Sequence, residues 1–311
     1  MPGYPWLSLT TDYGLSDGFV AACHGVVARI APAVRVIDVT HLVPAGDVAH
    51  GAAVLAQTVG HLPPAVHVAV VDPGVGTARR GIAVRTPGGV LVGPDNGLLP
   101  WAATTLGGAT EAVELTNPEW FPEVSRTFHG RDVFAPAAAR FALGAALVEA
   151  GPPIDPTGLV RLPDPLVAEG DGWLEAGVLT VDHFGNVQLA APGSTLDRLG
   201  PVLRIGGLRA LRGATFGDAP PGDLVAYSDS AGRLALAVNG GRAADVLGVA
   251  AGDLLRLERS AGPGGSSGPS GPGGSGSSGG SGVPSGPGVS GGPGGSGSSG
   301  GSSGPGSPGA A

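Results

Sequence analysis

The chain has 311 residues, of which 42% are hydrophobic, and a formal net charge of −8 from 25 acidic and 17 basic residues. Every basic residue is an arginine, which excludes a Schiff-base lysine and a P-loop, because both require lysine. The acidic balance without a basic stripe argues against nucleic acid as a partner, and Cys23, the single cysteine, excludes an internal disulfide and a cysteine-based metal cluster.

The first half of the chain alternates strand-like and helix-like patterns. Apolar or β-branched runs predict strands at residues 6–11, 34–39 and 66–71, and apolar residues at helical spacing predict helices at 17–31 and 47–62. This order predicts an α/β N-terminal domain, residues 1–160, with a mostly parallel sheet and helices on its faces. Further along, the patterns predict a hairpin at 82–92, a tight turn at 93–97 and a last helix at 131–150.

The second half has a different pattern, and we place the boundary within residues 152–170, where a proline-rich connector lies. Short strands separated by Gly/Asp turns predict a smaller β-barrel or sandwich domain, residues 166–260. The predicted strands are 174–181, 186–190, 202–205, 223–227 and 234–238.

The last segment, residues 261–311, contains only Gly, Ser, Pro, Ala and Val. Such a composition cannot bury enough apolar surface to offset the entropy of ordering, so we predict a disordered low-complexity tail. No run in the sequence approaches the ~18 apolar residues of a membrane span. We therefore expect a cytoplasmic protein with no membrane partner.

Three segments of the first half place ionisable side chains beside glycines and after apolar runs. They are residues 9–14, 71–80 and 128–132, which contain Asp12, Asp72, Arg79 and His129. In open α/β sheets, ligands bind beyond the carboxyl ends of the strands. The positions of these side chains therefore predict one polar pocket at that edge of the sheet.

Each of these residues also has a simpler interpretation. Asp12 is a candidate cap for the next helix, and Asp17 is a stronger candidate for that N-cap. Asp72 and Arg79 fit a turn held by a surface ion pair, and a lone histidine such as His129 is more often structural. The set of four favours a functional site over these alternatives.

Two segments of the second half are also candidates for binding. Phe184 can stack on a planar base, and the amide of Asn186 can donate to and accept from a base edge. The alternative is that residues 182–186 and 238–241 are ordinary β-turns. No metal site is predicted, because five histidines lie in predicted helices or strands without metal-type spacing; these are His24, His41, His50, His61 and His67.

Taken together, these segments resemble the S-adenosylmethionine (SAM) hydroxide adenosyltransferases, relatives of the SAM-dependent fluorinase and chlorinase. The resemblance covers about residues 7–258. The matching runs are 9–14 with Asp17, 38–41, 71–80, 93–97, 128–136, 182–186 and 237–241.

The resemblance implies an α/β domain joined to a β-barrel domain, and a homotrimer. Each site would lie between the N-terminal domain of one subunit and the C-terminal domain of its neighbour. The implied reaction is attack of water or hydroxide at the ribose C5′ of SAM, which releases adenosine and L-methionine. The small-molecule substrate carries its own leaving group, so no cofactor and no metal are expected.

The resemblance also implies residue roles. Asp72, Arg79 and His129 would be catalytic, and Asp12 would hold the ribose hydroxyls. The other predicted substrate-binding residues are Phe184 and Asn186 for adenine, Asp182 and Ser230 for the methionine amine and carboxylate, and Asp17 and Asn239.

One departure from the family pattern concerns Gly46, where relatives usually have an aromatic residue that covers the ribose or adenine. Two alternative functions remain open. One is a SAM-dependent halogenase, although halogenases lack the Asp, Arg and His set. The other is a non-catalytic protein that binds SAM or adenosine.

Overall fold

The computed structural model describes residues 3–260, so the predicted disordered tail at 261–311 lies outside the described residues. The first part contains seven strands and four α-helices. The strands are β1 Trp6–Thr11, β2 Arg35–Thr40, β3 Ala65–Val70, β4 Gly81–Thr86, β5 Gly89–Pro94, β6 Glu111–Glu114 and β7 Pro153–Ile154. The helices are α1 Phe19–Ile30, α2 Val48–Val59, α3 Pro100–Thr105 and α4 Ala135–Ala142.

The first sheet has the strand order β2-β1-β3-β5-β4-β6-β7. The four strands β2, β1, β3 and β5 run parallel, and β4, β6 and β7 extend the sheet by antiparallel pairs. This confirms the predicted mostly parallel sheet. The hairpin predicted at 82–92 is formed by β4 and β5.

Two helix layers explain why β3 is buried along its whole length. Val68 and Val70 pack in the cluster that contains residues of α1 and α4, whereas Ala69 and Val71 pack in the cluster that contains residues of α2 and α3. Successive side chains of a strand point to opposite faces, so a strand covered on both faces has no position that faces solvent. The one polar residue of β3, His67, is buried and lies 2.9 Å from Oγ of Ser8. The nearly continuous apolar run in the sequence is the signature of this arrangement.

The second sheet has eight strands, and seven of them form a closed barrel. The strands are β8 Val167–Gly170, β9 Trp173–Val181, β10 Val187–Pro192, β11 Val202–Ile205, β12 Leu208–Arg212, β13 Leu224–Ser228, β14 Arg233–Val238 and β15 Leu254–Arg259. The pairing of β9 with β10 closes the ring, and β8 lies outside it on β9. Two short helices accompany the barrel, α5 Leu196–Leu199 and α6 Ala243–Leu247. Closure confirms the predicted barrel.

Several sequence-based predictions of single elements are wrong. The helix predicted at 131–150 is divided into a π-helical turn Gly130–Phe134, helix α4 and a 3-10 turn Leu147–Ala150. Helix α4 ends at Ala142 because Gly144, shortly after it, has a φ of 98° in the left-handed region, a conformation that ends a helix. Gly93 and Pro94 belong to β5 and not to a tight turn at 93–97.

The sequence patterns also did not identify some elements, namely α3, α5, α6, β6, β7, β8, β12 and β15. Most of these are short or lie at sheet edges, where the apolar signal is weak. Within residues 3–260, the described helices include none that is long and apolar enough to cross a membrane.

Gly93 marks a close approach between β3 and β5. A Cβ atom at this position would lie 2.2 Å from the carbonyl oxygen of Ala69, which belongs to the backbone and cannot move aside. We expect Gly93→Ala to lower the free energy of unfolding by roughly 1–3 kcal/mol, the usual cost of overpacking. Urea unfolding monitored by circular dichroism measures this change.

The matched control is Gly25→Ala in α1. Gly25 is exposed, and a Cβ atom there meets no atom within 4 Å. Alanine should therefore raise stability by about 0.5–1 kcal/mol, since glycine is a poor helix former. Equal effects of the two substitutions would contradict the steric interpretation of Gly93.

Candidate active site

The pairing of β1 with β3 brings two of the predicted site residues to the same edge of the sheet. These strands are parallel, and Thr11 lies opposite Val70. Asp12 follows β1 directly, and Asp72 follows β3 after one further residue. Both carboxylates therefore stand at the carboxyl ends of neighbouring strands, as predicted.

Asp72, Arg79 and His129 form one continuous chain of contacts. Nε of Arg79 donates to both carboxylate oxygens of Asp72, at 3.0 and 2.9 Å, and Nη2 makes a further bond to Oδ2. The same Nη2 lies 2.8 Å from Nδ1 of His129. Arg79 and His129, 50 positions apart in sequence, are thus in contact, and the guanidinium of Arg79 connects His129 to Asp72.

The ion pair in this group is buried, which distinguishes it from the surface pair considered as an alternative. The side chains of Asp72 and Arg79 are 5% and 11% exposed. The guanidinium also lies 5.3 Å from the ring centre of Phe134, in cation–π range. Removing one partner of such a pair leaves a buried charge without compensation and costs about 3–5 kcal/mol.

The contact with Arg79 determines the protonation state of His129. A guanidinium has only donors, so Nδ1 of the imidazole must accept, and the ring proton is on Nε2. Burial and the positive charge of Arg79 lower the pKa of His129 from its ordinary value of 6.5, although Asp72 and Asp132 oppose the shift. The imidazole is therefore neutral at pH 7 and presents an N–H donor.

Asp12 is held by the loop that precedes α2. Its Oδ2 accepts a hydrogen bond of 2.9 Å from the backbone N–H of Gly46. Gly46 has a φ of 74°, in the left-handed region that favours glycine. The next helix, α1, has Gly18 at its N-cap and no side-chain capping bond, so Asp12 does not cap it. The N-cap of α2 is Asp47, which accepts from the N–H of His50.

Asp17 is not part of this group. Helix α1 begins at Phe19 with Gly18 at its N-cap and no side-chain capping bond, so the predicted capping role of Asp17 is wrong. The side chain of Asp17 is exposed, and it does not line the cavity beside Asp12.

The cavity at the sheet edge has a volume of about 250 Å³. It brings Asp12, Asp72 and His129 together with Tyr13 and Gly130; its other lining residues are Gly46, Val70, Pro73, Val75 and Thr127. Its lining combines charged and polar side chains with apolar ones. The arrangement can hold a small polar molecule between carboxylates and an imidazole.

Tyr13 is a cavity residue that sequence reasoning did not assign. Its hydroxyl approaches Gly130 so closely that a Cβ atom at residue 130 would lie 2.0 Å away. Burial, and then the neighbouring Cys23, Asp12 and Asp72, raise the pKa of Tyr13 far above its ordinary value, so the hydroxyl stays protonated as a donor. In the sequence, the signal for this contact was Gly130, directly after His129, because a residue without a Cβ atom leaves room for the Tyr13 hydroxyl.

The barrel carries a second, separate set of predicted residues. Asp182, Asn186 and Ser230 line a cavity of about 730 Å³, together with Tyr227 and Asp229. Residues of the first part of the chain form its other wall, namely Thr40, Leu42, Pro44, His50, Val54 and Gln57. This cavity shares no lining residue with the one beside Asp72. In the described chain, the two halves of the predicted site are therefore in different cavities.

Residues 182–186 and 238–241 form turns, as their simpler interpretation predicted. The N–H of Gly185 donates to the carbonyl of Asp182 across the β9–β10 connection, and the side chains of Asp182 and Asn186 bond to each other at 2.8 Å. Phe184 at the tip is 72% exposed. Asn239 lies outside both cavities, and its amide donates to the carbonyl of Ala219.

One group of side chains has the composition of a metal site. Nε2 of His24, Oδ1 of Asp38 and Nε2 of His41 lie within 4.8 Å of one another. His67, in contrast, is buried in β3, where its Nδ1 lies 2.9 Å from Oγ of Ser8 and burial lowers its pKa to about 4. The spacing along the sequence, which predicted no metal, does not reveal the first group.

Comparison with known proteins shows matches along both parts of the chain. The profiles described as SAM hydroxide adenosyltransferase N-terminal domain and C-terminal domain match residues 7–151 and 176–256. A protein of Salinispora arenicola named (R)-S-adenosyl-L-methionine hydrolase is 66% identical over 83% of this chain and 99% of its own length.

Two further proteins are more distant. A fluorinase of an Actinoplanes species is 30% identical over 76% of this chain and 92% of its own length. The crystal structure of an uncharacterized conserved protein from Thermotoga maritima superposes with a TM-score of 0.74 at 34% identity, covering 81% of this chain and 99% of that one.

The tautomer of His129 can be measured directly. We expect long-range ¹H–¹⁵N spectra to show the Nε2–H form and a titration midpoint below 6.5, because Arg79 occupies Nδ1 and opposes the imidazolium charge. In Arg79→Gln the midpoint should rise. An Nδ1–H form in the unaltered protein would contradict the contact with Arg79.

Proposed function

The chain belongs to the SAM hydroxide adenosyltransferase family, and we propose that Asp72, Arg79 and His129 are the catalytic residues with which it hydrolyses S-adenosyl-L-methionine to adenosine and L-methionine. Identity of 66% to a protein named as such a hydrolase supports the activity. The observation that carries the residue roles is the contact chain Asp72–Arg79–His129 in a cavity that also contains Asp12.

The sulfonium of the substrate is a good leaving group, so the enzyme has little need of an acid. The oxygen of water forms a bond to C5′ while the C5′–S bond breaks. The electron pair of the broken C5′–S bond stays on sulfur, which becomes a neutral thioether. The attacking water loses one proton. Holding water, C5′ and sulfur in line is therefore the main task, and good alignment supplies up to roughly 7–11 kcal/mol in ideal cases.

The hydrogen bonds around Asp72 and His129 suit the positioning of water. Oδ1 of Asp72 accepts one hydrogen bond, from Nε of Arg79, and keeps a lone pair for a water O–H. Nε2–H of His129 can donate to the same water oxygen, which leaves its other lone pair directed at C5′. His129 is thus a donor in this reaction, and Asp72 is the group that can take the proton.

Asp12 holds the ribose hydroxyls in this proposal. Its Oδ1 remains available when Oδ2 accepts from Gly46. The adenine and the methionine part are bound by the barrel residues Asp182, Phe184, Asn186 and Ser230. Asn239 and Asp17 are less well supported as substrate contacts, because neither lines the two cavities.

A homotrimer explains how the two cavities form one site. The cavity beside Asp72 and the cavity that Asp182 lines share no lining residue in one chain, and Phe184 is exposed on the β9–β10 connection. We propose that the barrel of a neighbouring subunit supplies Phe184 and Asn186 to each Asp72 cavity. The proposed location is the cytoplasm, and the proposed reaction uses no cofactor.

The halogenase alternative is less well supported. A buried carboxylate next to the attacking position repels a halide, and the named fluorinase is only 30% identical. A non-catalytic binding protein would have no use for the buried set of ionisable groups.

The (R) in the relative's name denotes the sulfonium centre, since L already specifies the α-carbon. We propose the (R) epimer of SAM as the preferred substrate.

Release of adenosine tests the activity and the catalytic residues together. The folded protein should convert SAM to adenosine, with the (R) epimer turned over at least about tenfold faster than the (S) epimer. Asp72→Asn and His129→Ala should each lower kcat by ~10²-fold or more with little change in ligand binding, since they act on the water. Liquid chromatography and calorimetry give these two values.

His61→Ala is the matched control, because His61 is exposed beyond the end of α2 and lines neither cavity. It should retain full activity. Circular dichroism must show that the Asp72 variant is folded, since that change alters a buried ion pair. Adenosine absent from the unaltered, folded protein would refute the hydrolase activity, and halide-dependent 5′-halo-5′-deoxyadenosine would identify a halogenase.

Mixed oligomers test the shared site. Asp72→Asn and Asn186→Ala should each be inactive alone. When the two variants are co-expressed with different tags, about a quarter of the interfaces combine an intact Asp72 with an intact Asn186, and these interfaces should be active. Light scattering measures the oligomeric mass. A mixed trimer without recovered activity would show that one subunit supplies both halves.

A further inference from the structure

The cluster of His24, Asp38 and His41 lies outside the proposed catalytic group. Its residues come from three places: α1, β2 and the loop that follows β2. Oδ1 of Asp38 is 2.9 Å from Nε2 of His24 and 3.0 Å from Nε2 of His41. Folding thus gathers two imidazoles around one carboxylate oxygen.

The buried nitrogen of His41 distinguishes this cluster from a hydrogen-bonded triad. The His41 side chain is 4% exposed, and its Nε2 has no hydrogen-bond partner within the described residues, because the contact with Asp38 is not aligned for one. A buried nitrogen without a partner is costly. A positive ion between the two imidazoles and the carboxylate would satisfy it.

The other nitrogen of His41 is already held as in known metal sites. Nδ1 lies 2.8 Å from Oγ1 of Thr11, which fixes the ring orientation. When Nδ1–H donates to this hydroxyl, Nε2 carries a lone pair directed at the cluster. Metal-binding histidines usually have such a support on their second nitrogen.

The dimensions of the cluster fit a small ion. A tetrahedral zinc ion with bonds of about 2.0–2.2 Å keeps its ligand atoms roughly 3.3–3.6 Å apart, so the two short separations need to open by only a few tenths of an ångström. His24 and Asp38 are more than a third exposed, which gives an ion access and leaves a position for water. Imidazole ligands favour zinc, cobalt or nickel over magnesium and calcium.

We propose that His24, Asp38 and His41 bind a divalent transition-metal ion of the zinc class, which connects α1 to the loop after β2. The carbonyl of His41 accepts from the N–H of Gly14 at 2.8 Å, and its ring contacts Thr11, so the ion would stabilise the segment that carries Asp12. This ion takes no part in the proposed displacement. The site rests on its own geometry and not on the proposed function.

Binding of Zn²⁺ and Co²⁺ to the purified, chelator-treated protein tests the site. We expect one Co²⁺ per chain with visible d–d absorption, displacement of Co²⁺ by Zn²⁺, and a rise in Tm of roughly 5–10 °C at a hundredfold excess over Kd. His24→Gln keeps an amide donor near the position of Nε2 but removes the ligand. It should weaken Zn²⁺ binding ~10²-fold or more while leaving metal-free turnover unchanged.

Two further variants separate this proposal from the catalytic one. Asp38→Asn should also lose Co²⁺ absorption, whereas His129→Ala should lose turnover and bind Zn²⁺ like the unaltered protein. Zn²⁺ affinity that is unchanged in both His24→Gln and Asp38→Asn would overturn the site. Absence of stoichiometric Co²⁺ binding to the unaltered protein would show that the cluster is held by hydrogen bonds alone.

Discussion

The parallel pairing of β1 with β3 is the constraint on which the rest of the site depends. A parallel pair has both carboxyl ends at one edge, and the register of Thr11 with Val70 places Asp12 and Asp72 on neighbouring strands at that edge. A shift by one residue would turn the alternating side chains of β3 from one helix layer to the other. Because both faces of β3 are packed, this register is firmly determined, and so is the placement of Asp12 relative to Asp72.

The buried ion pair explains a chemical preference within that site. Asp72 accepts three hydrogen bonds from Arg79, two of them at Oδ2, so only Oδ1 keeps a lone pair free for a water O–H. The Nδ1 of His129 accepts from Arg79 and its Nε2 carries a hydrogen, so the imidazole is a donor to water. The group is therefore a set of fixed hydrogen-bonding partners that orient a water molecule. A substrate with a sulfonium leaving group requires little more, since the nucleophile need not be strong when the leaving group departs as a neutral thioether.

Sequence patterns predicted what depends on periodicity and missed what depends on contacts between distant segments. The run of β3, apolar except for His67, and the alternation of strands and helices led to the correct sheet. The early end of α4 at Ala142 was missed, because it depends on the conformation of Gly144. The His24, Asp38 and His41 cluster was missed for a different reason. Its members are 14 and 3 residues apart on three elements, a spacing that matches no local metal motif.

Gly46 shows how the loop geometry and the proposed assembly are connected. The loops after β1 and β2 are joined by hydrogen bonds from Gly14 to His41 and from Gly46 to Asp12. The second bond is made with Gly46 at a left-handed φ, a conformation that an aromatic residue disfavours. A Cβ atom at residue 46 would have Pro73 as its nearest neighbour, at 3.7 Å. The chain thus holds Asp12 by a backbone donor at Gly46, the position where the family resemblance led us to expect an aromatic cover. In the proposed trimer, a flat base in this cavity would take its aromatic partner from elsewhere, and the exposed Phe184 of a neighbouring barrel is suited to supply it.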